Sequence, residues 1–183
     1  KWIDGIAAGR TVVSRNAHNE FLDLRVNGIG PGGEIKLDRP GRVAIDTNWS
    51  VRDPLNGALE IVQDGAVVAT QKVSARAGES VRVNLSADVK HSGWICARRM
   101  GPGGHQTHTA AVFVTVGNRP VRASAADAEF FVTFIDNLLE KTAAGGEWGM
   151  YFQTSREAAH ERYRAARAIY QRIAAEAHAA EKQ

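Results

Sequence analysis

Histidines are the side chains best suited to hold a metal or move a proton at neutral pH, and the chain has six. His105 and His108 are three residues apart, but Gly103-Gly104 before them predict a loop at His105. His18 lies in a polar loop between two predicted strands. The His-x-His, His-Glu-x-x-His and Cys-x-x-Cys patterns of metal sites do not occur. The sequence therefore contains no metal-site motif. His18 and His108 are either loop histidines with local hydrogen bonds or contacts to a ligand or metal.

Nucleophilic and phosphate-binding motifs are missing as well. Gly-x-Ser-x-Gly does not occur, and Gly101-Pro102-Gly103-Gly104 lies between two predicted strands, unlike a P-loop or a dinucleotide fingerprint. Cys96 is the only cysteine, which excludes an internal disulfide and a zinc site built from several cysteines. We therefore expect no catalytic residue and no cofactor in this chain.

Arg98 and Arg99 are adjacent in a predicted strand, where neighbouring side chains point to opposite faces. One guanidinium is thus expected at a core edge or partner, and the other in solvent. Such a group can hold a carboxylate or phosphate through two hydrogen bonds. A surface salt bridge is the alternative.

Composition excludes two classes of partner. The net charge is +3 and the pI about 9.2, but basic residues are interspersed with acidic ones and form no stripe for nucleic acid. The longest apolar run, residues 110–114, is far shorter than the roughly 20 residues that span a membrane. We expect neither a nucleic-acid partner nor a membrane one.

Short strands separated by turn residues must position these groups. Residues 21–26 alternate apolar and polar side chains, Asn27-Gly28 predicts a turn, and Asp64-Gly65 predicts a tight hairpin. The predicted strands are residues 11–14, 21–26, 34–37, 42–49, 59–62, 67–69, 80–85, 94–100 and 109–116. This pattern predicts an immunoglobulin-like antiparallel β-sandwich over residues 10–120.

The two ends of the chain are predicted to be helical. Residues 1–9 are predicted to form a short helix with Trp2, Ile3 and Ile6 on one side. A start at Lys rather than Met indicates either a processed product or a fragment, and an amphipathic helix that begins the chain so abruptly suggests that something precedes it. Residues 121–183 form a C-terminal helical hairpin: Ser124 caps the first helix, and the second starts at Thr154. The aromatic loop at residues 148–152 is expected to be packed.

Several segments occur together in one order that resembles the C-terminal region of CehA/McbA-type metallohydrolases of the PHP superfamily. The segments are Gly9-Arg10-Thr11-Val12-Val13-Ser14, Val26-Asn27-Gly28 with Pro31-Gly32, Glu60-Ile61-Val62-x-Asp64-Gly65-x-Val67-Val68, Gly93-Trp94-Ile95-x-Ala97-Arg98, His108 to Val116, and Ala126-Asp127-Ala128-x-Phe130-Phe131-x-x-Phe134-Ile135-Asp136. The resemblance covers essentially the whole chain. It departs at Arg15-Asn16-Ala17-His18, where Thr-Asn-Gly-Pro is more usual.

In that family a catalytic PHP domain comes first and binds the divalent metal. None of its metal-ligand motifs is present here, so the resemblance implies an accessory module whose partner is the upstream catalytic domain of the same protein. Exported or periplasmic residence is implied in the same way. Trp94, Arg98 and His108 cluster around one predicted strand pair, which suggests that they rim the active site.

Two other functions remain open from the residues alone. The first is a free-standing module that binds a ligand or carbohydrate through an exposed Trp49 or Trp94. The second is metal-dependent hydrolysis of an ester or phosphoester by this chain, with the metal held by histidines.

Overall fold

The computed structural model describes residues 2–122 and 124–181; Lys1, Ala123, Lys182 and Gln183 of the predicted terminal segments lie outside the described residues. The chain divides into two units, residues 1–121 and residues 122–183, each described by itself. The elements are α1 (Trp2–Ala7), β1 (Val12–Ser14), β2 (Glu20–Val26), β3 (Glu34–Leu37), β4 (Gly41–Val51), β5 (Leu55–Gln63), β6 (Ala66–Ala75), β7 (Ser80–Val89), β8 (Gly93–Gly101), β9 (Gly104–Thr109), β10 (Val112–Val116), α2 (Ala125–Lys141) and α3 (Arg156–Glu181).

Two sheets form the first unit, a β-sandwich. The larger sheet is built around β8, which pairs with β5 on one side and with β9 and β10 in succession on the other. Beyond these lie β6 next to β5, β1 next to β9, and β3 next to β10. The smaller sheet has the order β2-β4-β7. The predicted fold class is confirmed, although the pairing of β3 with β10 is parallel.

Period-two alternation explains why the sheets face each other. In β2, residues 20, 22, 24 and 26 are buried, and β4 continues the same phase up to Trp49 and Val51. These inner faces form one shared apolar core, to which the larger sheet contributes Leu59, Ile61, Ile95, Ala97, Val112 and Val114. Removal of this apolar surface from water is the main force that stabilises the sandwich.

The predicted tight turns adopt the backbone that their residues favour. Asp64 and Gly65 have φ values of 50° and 88°, and Asn27 and Gly28 have φ values of 47° and 81°. Both pairs suit the turn in which two successive residues have positive φ. The two predictions from local sequence are therefore correct.

Helix α1 ends against the loop that precedes β3. Gly32 has a φ of +79°, and a Cβ there would lie 1.7 Å from the carbonyl oxygen of Ala8. Only glycine permits this close approach. The side chains of Trp2, Ile3 and Ile6 are exposed, so the apolar side of α1 is open.

Helices α2 and α3 of the second unit run antiparallel. The Phe131 ring stacks on Tyr170 with centroids 4.9 Å apart, and Arg167 binds both carboxylate oxygens of Asp136 at 2.6 and 3.0 Å. Ser124 caps α2 as predicted, because its Oγ accepts a hydrogen bond from the Asp127 amide. No helix in the described part of the chain is long and apolar enough to cross a membrane.

Four local predictions are wrong. The predicted strand at residues 109–116 is broken at Ala110-Ala111. His105 lies in a strand rather than a loop, because β9 begins at Gly104 and pairs with β8 directly after the hairpin. Helix α3 begins at Arg156, since its first turn is closed by the bond from the Ala159 amide to the Ser155 carbonyl. The loop at residues 148–152 contains a short 3₁₀ turn that leaves Met150 and Tyr151 exposed.

Candidate functional site

Strand β8 divides its side chains between the core and the outside. Ile95, Ala97 and Arg99 are buried, whereas Trp94 and Arg98 are half-buried on the outer face of the larger sheet. The start of the strand is fixed by Asp64, whose carboxylate accepts a hydrogen bond from the Trp94 amide at 2.9 Å. Burial raises the pKa of Asp64, while that hydrogen bond and the charge of His91 act in the opposite direction.

Neighbouring strands complete this surface, which we call the outer face. Trp94 is opposite Phe113 of β10, and Arg98 is opposite His108 of β9 and Glu60 of β5. The residues that we use to define the outer face are Val13, Glu60, Trp94, Arg98, His105, His108 and Phe113, and Cys96 lies on the same face between Trp94 and Arg98. The outer face combines exposed apolar side chains with charged and imidazole groups, as protein-binding surfaces do.

Arg98 already has a partner on this face. Its Nε donates to Oε2 of Glu60 at 2.7 Å, and the two side chains are 34% and 18% exposed. The structure therefore shows a partly solvated ion pair at Arg98, the alternative that the sequence left open. Pairs of this kind add little to stability.

His105 and His108 contact each other despite their spacing of three. The register of β8 and β9 shifts between Arg99 and Met100, so Gln106 is an extra residue that turns both histidines to one face. The Nδ1 atom of His108 lies 2.9 Å from Nε2 of His105. Burial, followed by the charges of His108, Arg98 and Arg15, lowers the pKa of His105.

Two imidazoles supply too few ligands for a structural zinc site, which needs four. The described residues contain no group of three or more His, Cys, Asp or Glu side chains arranged to hold a metal. The outer face therefore offers hydrogen bonding by the two imidazoles and ion pairing by Arg98.

The predicted site residues therefore separate into two places. Trp94, Arg98 and His108 share the outer face. His18 lies in the short 3₁₀ turn Ala17–Asn19 and is exposed, and no hydrogen bond or ion pair recorded among the described residues joins it to the other three. Trp49, the other tryptophan considered for carbohydrate binding, is completely buried, so only Trp94 remains available to that alternative.

Sequence reasoning missed a buried polar cluster between the two sheets. The guanidinium of Arg99 binds Glu20 with two hydrogen bonds, Nε to Oε2 at 2.5 Å and Nη2 to Oε1 at 2.6 Å. The Trp49 indole donates to the same carboxylate at 2.8 Å, and Asn16 donates to it at 2.6 Å. We call Glu20, Trp49 and Arg99 the buried triad.

The buried triad satisfies the charges that it removes from water. Burial raises the pKa of Glu20, but hydrogen bonds from Arg99, Trp49 and Asn16 and the charge of Arg99 together lower it below its usual value. The Arg99 guanidinium also lies 5.4 Å from the Trp49 ring centroid, within the range of a cation–π contact. Glu20 is therefore ionised at neutral pH.

Comparison with known proteins identifies no family for this chain. No family model matches the chain, and no curated protein matches it. The C-terminal domain of Wzt is similar over 58% of this chain and 77% of its own, at 7% identity and a TM-score of 0.40. The CARDB domain of PF1109 from Pyrococcus furiosus is similar over 55% and 98%, at 11% identity and 0.38.

A Niemann-Pick type C2 protein from Japanese carpenter ant is similar over 57% of this chain and 99% of its own, at 8% identity and a TM-score of 0.37. A β-glucosidase from Listeria innocua is similar at 12% identity and a TM-score of 0.33, and the match spans 16% of that chain. No conclusion about function follows from such distant similarity, and the resemblance to PHP metallohydrolases stays a prediction.

Proposed function

We propose that this chain is a non-catalytic accessory module of a PHP-type metal-dependent hydrolase, and that its outer face packs on the upstream catalytic domain at the rim of the active site. The observation that carries the proposal is that Trp94, Arg98 and His108, which the sequence places around one strand pair, share a single sheet face. In this proposal the divalent metal belongs to the catalytic domain.

The composition of the outer face supports a protein partner. Phe113 is 47% exposed next to Trp94, and Val13 is exposed opposite His108. Aromatic side chains surrounded by polar groups are typical of the residues that dominate binding energy at interfaces. Arg98 and the two histidines supply the polar rim.

Helix α1 supplies a second apolar surface in the same unit. Its end is held by Gly32, whose amide binds the carbonyl of Ala111, two residues before Phe113. The exposed side chains of Trp2 and Ile3 lie on the segment that would connect to the catalytic domain. Burial of these apolar groups would favour association, and only the surplus over the cost of ordering the two partners appears as affinity.

The test is to measure binding of this chain to the separately produced catalytic domain by calorimetry. Phe113→Ala is expected to weaken binding about tenfold or more, as the loss of an aromatic anchor does. Phe21→Ala is the matched control, since Phe21 is 56% exposed but lies on the smaller sheet. Equal effects of the two substitutions, or no binding, would contradict the proposal.

Turnover by the full-length enzyme tests whether the outer face lies at the rim of the active site. Arg98→Ala and His108→Ala are expected to change substrate affinity or turnover if these side chains reach the substrate. Unchanged kinetics in both variants would remove the rim from the proposal and leave only the packing role.

A carbohydrate-binding module is the second candidate, and the pairing of Trp94 with Phe113 on a sheet face favours it. Aromatic faces in such positions can stack on sugar rings. Glycan binding that disappears in Trp94→Ala, with no affinity for the catalytic domain, would support this candidate over the first.

A further inference from the structure

A cavity of about 590 Å³ opens at one end of the sandwich, and the described residues that line it include none of those named for the outer face. It is bordered by the start of β5, the end of β6 and the hairpin between β8 and β9. Its volume falls within the range of about 300–1,000 Å³ that is usual for small-molecule sites. The functions proposed above leave this cavity unused.

The walls of the cavity carry positive charge and many hydrogen-bonding groups. Arg99 and Arg76 both line it, and no acidic side chain is among the described residues that do. The remaining polar lining consists of Asn16, Asn56, Ser74 and Gln106, and the apolar lining of Pro54, Leu55, Ala75 and Pro102. Glu20 lies behind Arg99 and neutralises it, so the uncompensated charge at the cavity is that of Arg76.

Arg99 retains hydrogen-bonding capacity towards this cavity. A guanidinium has five N–H groups, and those of Arg99 make two bonds to Glu20 and one, through Nη1, to the carbonyl of Asn56. Two N–H groups, one on each Nη atom, therefore have no partner among the described residues. They belong to a side chain that is only 2% exposed, where an unpaired donor is costly.

Two glycines leave room beside the same guanidinium. A Cβ at Gly57 or at Gly101 would lie 3.1 Å from Nη1 of Arg99, and Gly101 lines the cavity. The absence of side chains at these positions opens the Nη1 edge to the cavity wall. No side chain of the hairpin glycine therefore covers the guanidinium on this side.

Arg76 stands at the mouth of the cavity on the turn after β6. Its main-chain amide donates to Glu79 at 2.8 Å, but its guanidinium forms no ion pair recorded among the described residues. The side chain is exposed and therefore able to turn towards a ligand. An exposed arginine at the mouth and a buried one in the wall suit a ligand with one anionic group.

We propose that this cavity binds a hydroxylated organic acid of about the size of a hexuronic acid. Its carboxylate would accept hydrogen bonds from the spare N–H groups of Arg99 and from Arg76. Its hydroxyl groups would bond to the amide and hydroxyl side chains of the wall, and its carbon skeleton would contact Leu55 and Pro102. This inference is independent of the function proposed for the outer face.

The test is a nuclear magnetic resonance titration of the chain with glucuronate and with galacturonate, with glucose and inorganic phosphate as comparisons. We expect at least one uronate to bind and to shift the backbone amides of Asn56, Gly101 and Gly103. Glucose, which lacks the carboxylate, is expected to bind about tenfold more weakly or not at all, and phosphate likewise, since it lacks the hydroxylated body.

Arg76→Gln provides a variant that leaves the buried triad intact, and we expect it to weaken uronate binding about tenfold. Arg39→Gln is its matched control, because Arg39 precedes β4 whereas Arg76 lies near the opposite end of that strand. Three results would overturn the proposal. They are absence of binding by both uronates at 50 mM (about the weakest affinity of interest), an equal loss of uronate affinity in the two variants, or amide shifts spread over the surface. Phosphate binding as tight as that of the uronates also overturns the ligand class.

Discussion

Adjacent residues on β8 offer a direct comparison between a buried and a partly exposed ion pair. Arg99 binds Glu20, and Arg98 binds Glu60, each through Nε and a carboxylate Oε2 atom. The side chains of the first pair are 2% and 0% exposed, and those of the second 34% and 18%. Glu20→Gln and Glu60→Gln therefore make the same chemical change in two environments.

Glu20→Gln is expected to destabilise the sandwich by about 3–5 kcal/mol, because it leaves the Arg99 charge buried without a counter-charge. The single oxygen of the new amide can still accept a hydrogen bond from Arg99. Its NH₂ group is a donor and faces the N–H groups of Arg99, so the second hydrogen bond is lost. Glu60→Gln is expected to cost less than about 1 kcal/mol, since water and salt screen Arg98.

Urea unfolding of the two variants, followed by tryptophan fluorescence, measures both free energies of unfolding. At roughly 4 °C for each kcal/mol in a domain of this size, the melting temperature of Glu20→Gln should fall by about 12–20 °C. Equal destabilisation by the two substitutions would refute the argument that burial decides the strength of these pairs. A change in the urea m-value would show that the unfolded or folded state itself had changed.

Further predictions concern pH, a helix cap and the cysteine. The pKa of Glu20 is lower in the folded state, so the unfolded chain binds more protons below about pH 4.3. The free energy of unfolding should therefore fall as the pH drops through that range. Urea unfolding at several pH values should show this dependence, and Glu20→Gln should flatten it. Ser124→Ala should destabilise α2 by about 1 kcal/mol, measured as the loss of helical circular dichroism on heating, and an unchanged transition would contradict it. Burial raises the pKa of the Cys96 thiol, so at pH 8 it should react with Ellman's reagent more slowly than free cysteine, and an equal rate would count against the half-buried position.

Local features of the fold could be predicted because their causes are local. The turns at Asp64-Gly65 and Asn27-Gly28 need only a residue type that tolerates positive φ. The cap at Ser124 needs only the amide three residues later. Each of these structures is determined within a few residues.

Features that depend on distant pairing could not be predicted in the same way. The break between β9 and β10 and the bulge at Gln106 depend on how both strands share one side of β8. The sequence predicts a loop at His105, and in a regular strand a spacing of three would put His105 and His108 on opposite faces. The bulge instead brings the two histidines together.

The buried triad lies between these two cases. Its members are 29 and 79 residues apart along the chain, so their contact is not a local property. The side of the strand on which each charge lies could nevertheless be predicted. Glu20 continues the buried alternation of Leu22 and Leu24, and Arg99 continues that of Ile95 and Ala97. An acid and a base in the buried phase of two strands predict an internal ion pair, since neither charge is stable alone in a core.

The pairing of β1 with β9 and of β3 with β10 makes completion of the larger sheet depend on the end of the sandwich sequence. Val13 and Thr107 are 94 residues apart, and Glu34 and Thr115 are 81 apart. At about 5–20 residues per second, a ribosome needs roughly 5–20 s to deliver the partner of β1 after β1 itself has emerged. During that interval two N-terminal strands carry unpaired backbone groups, so a nascent chain stalled before residue 104 should be more exposed to proteases and chaperones than one stalled beyond the sandwich.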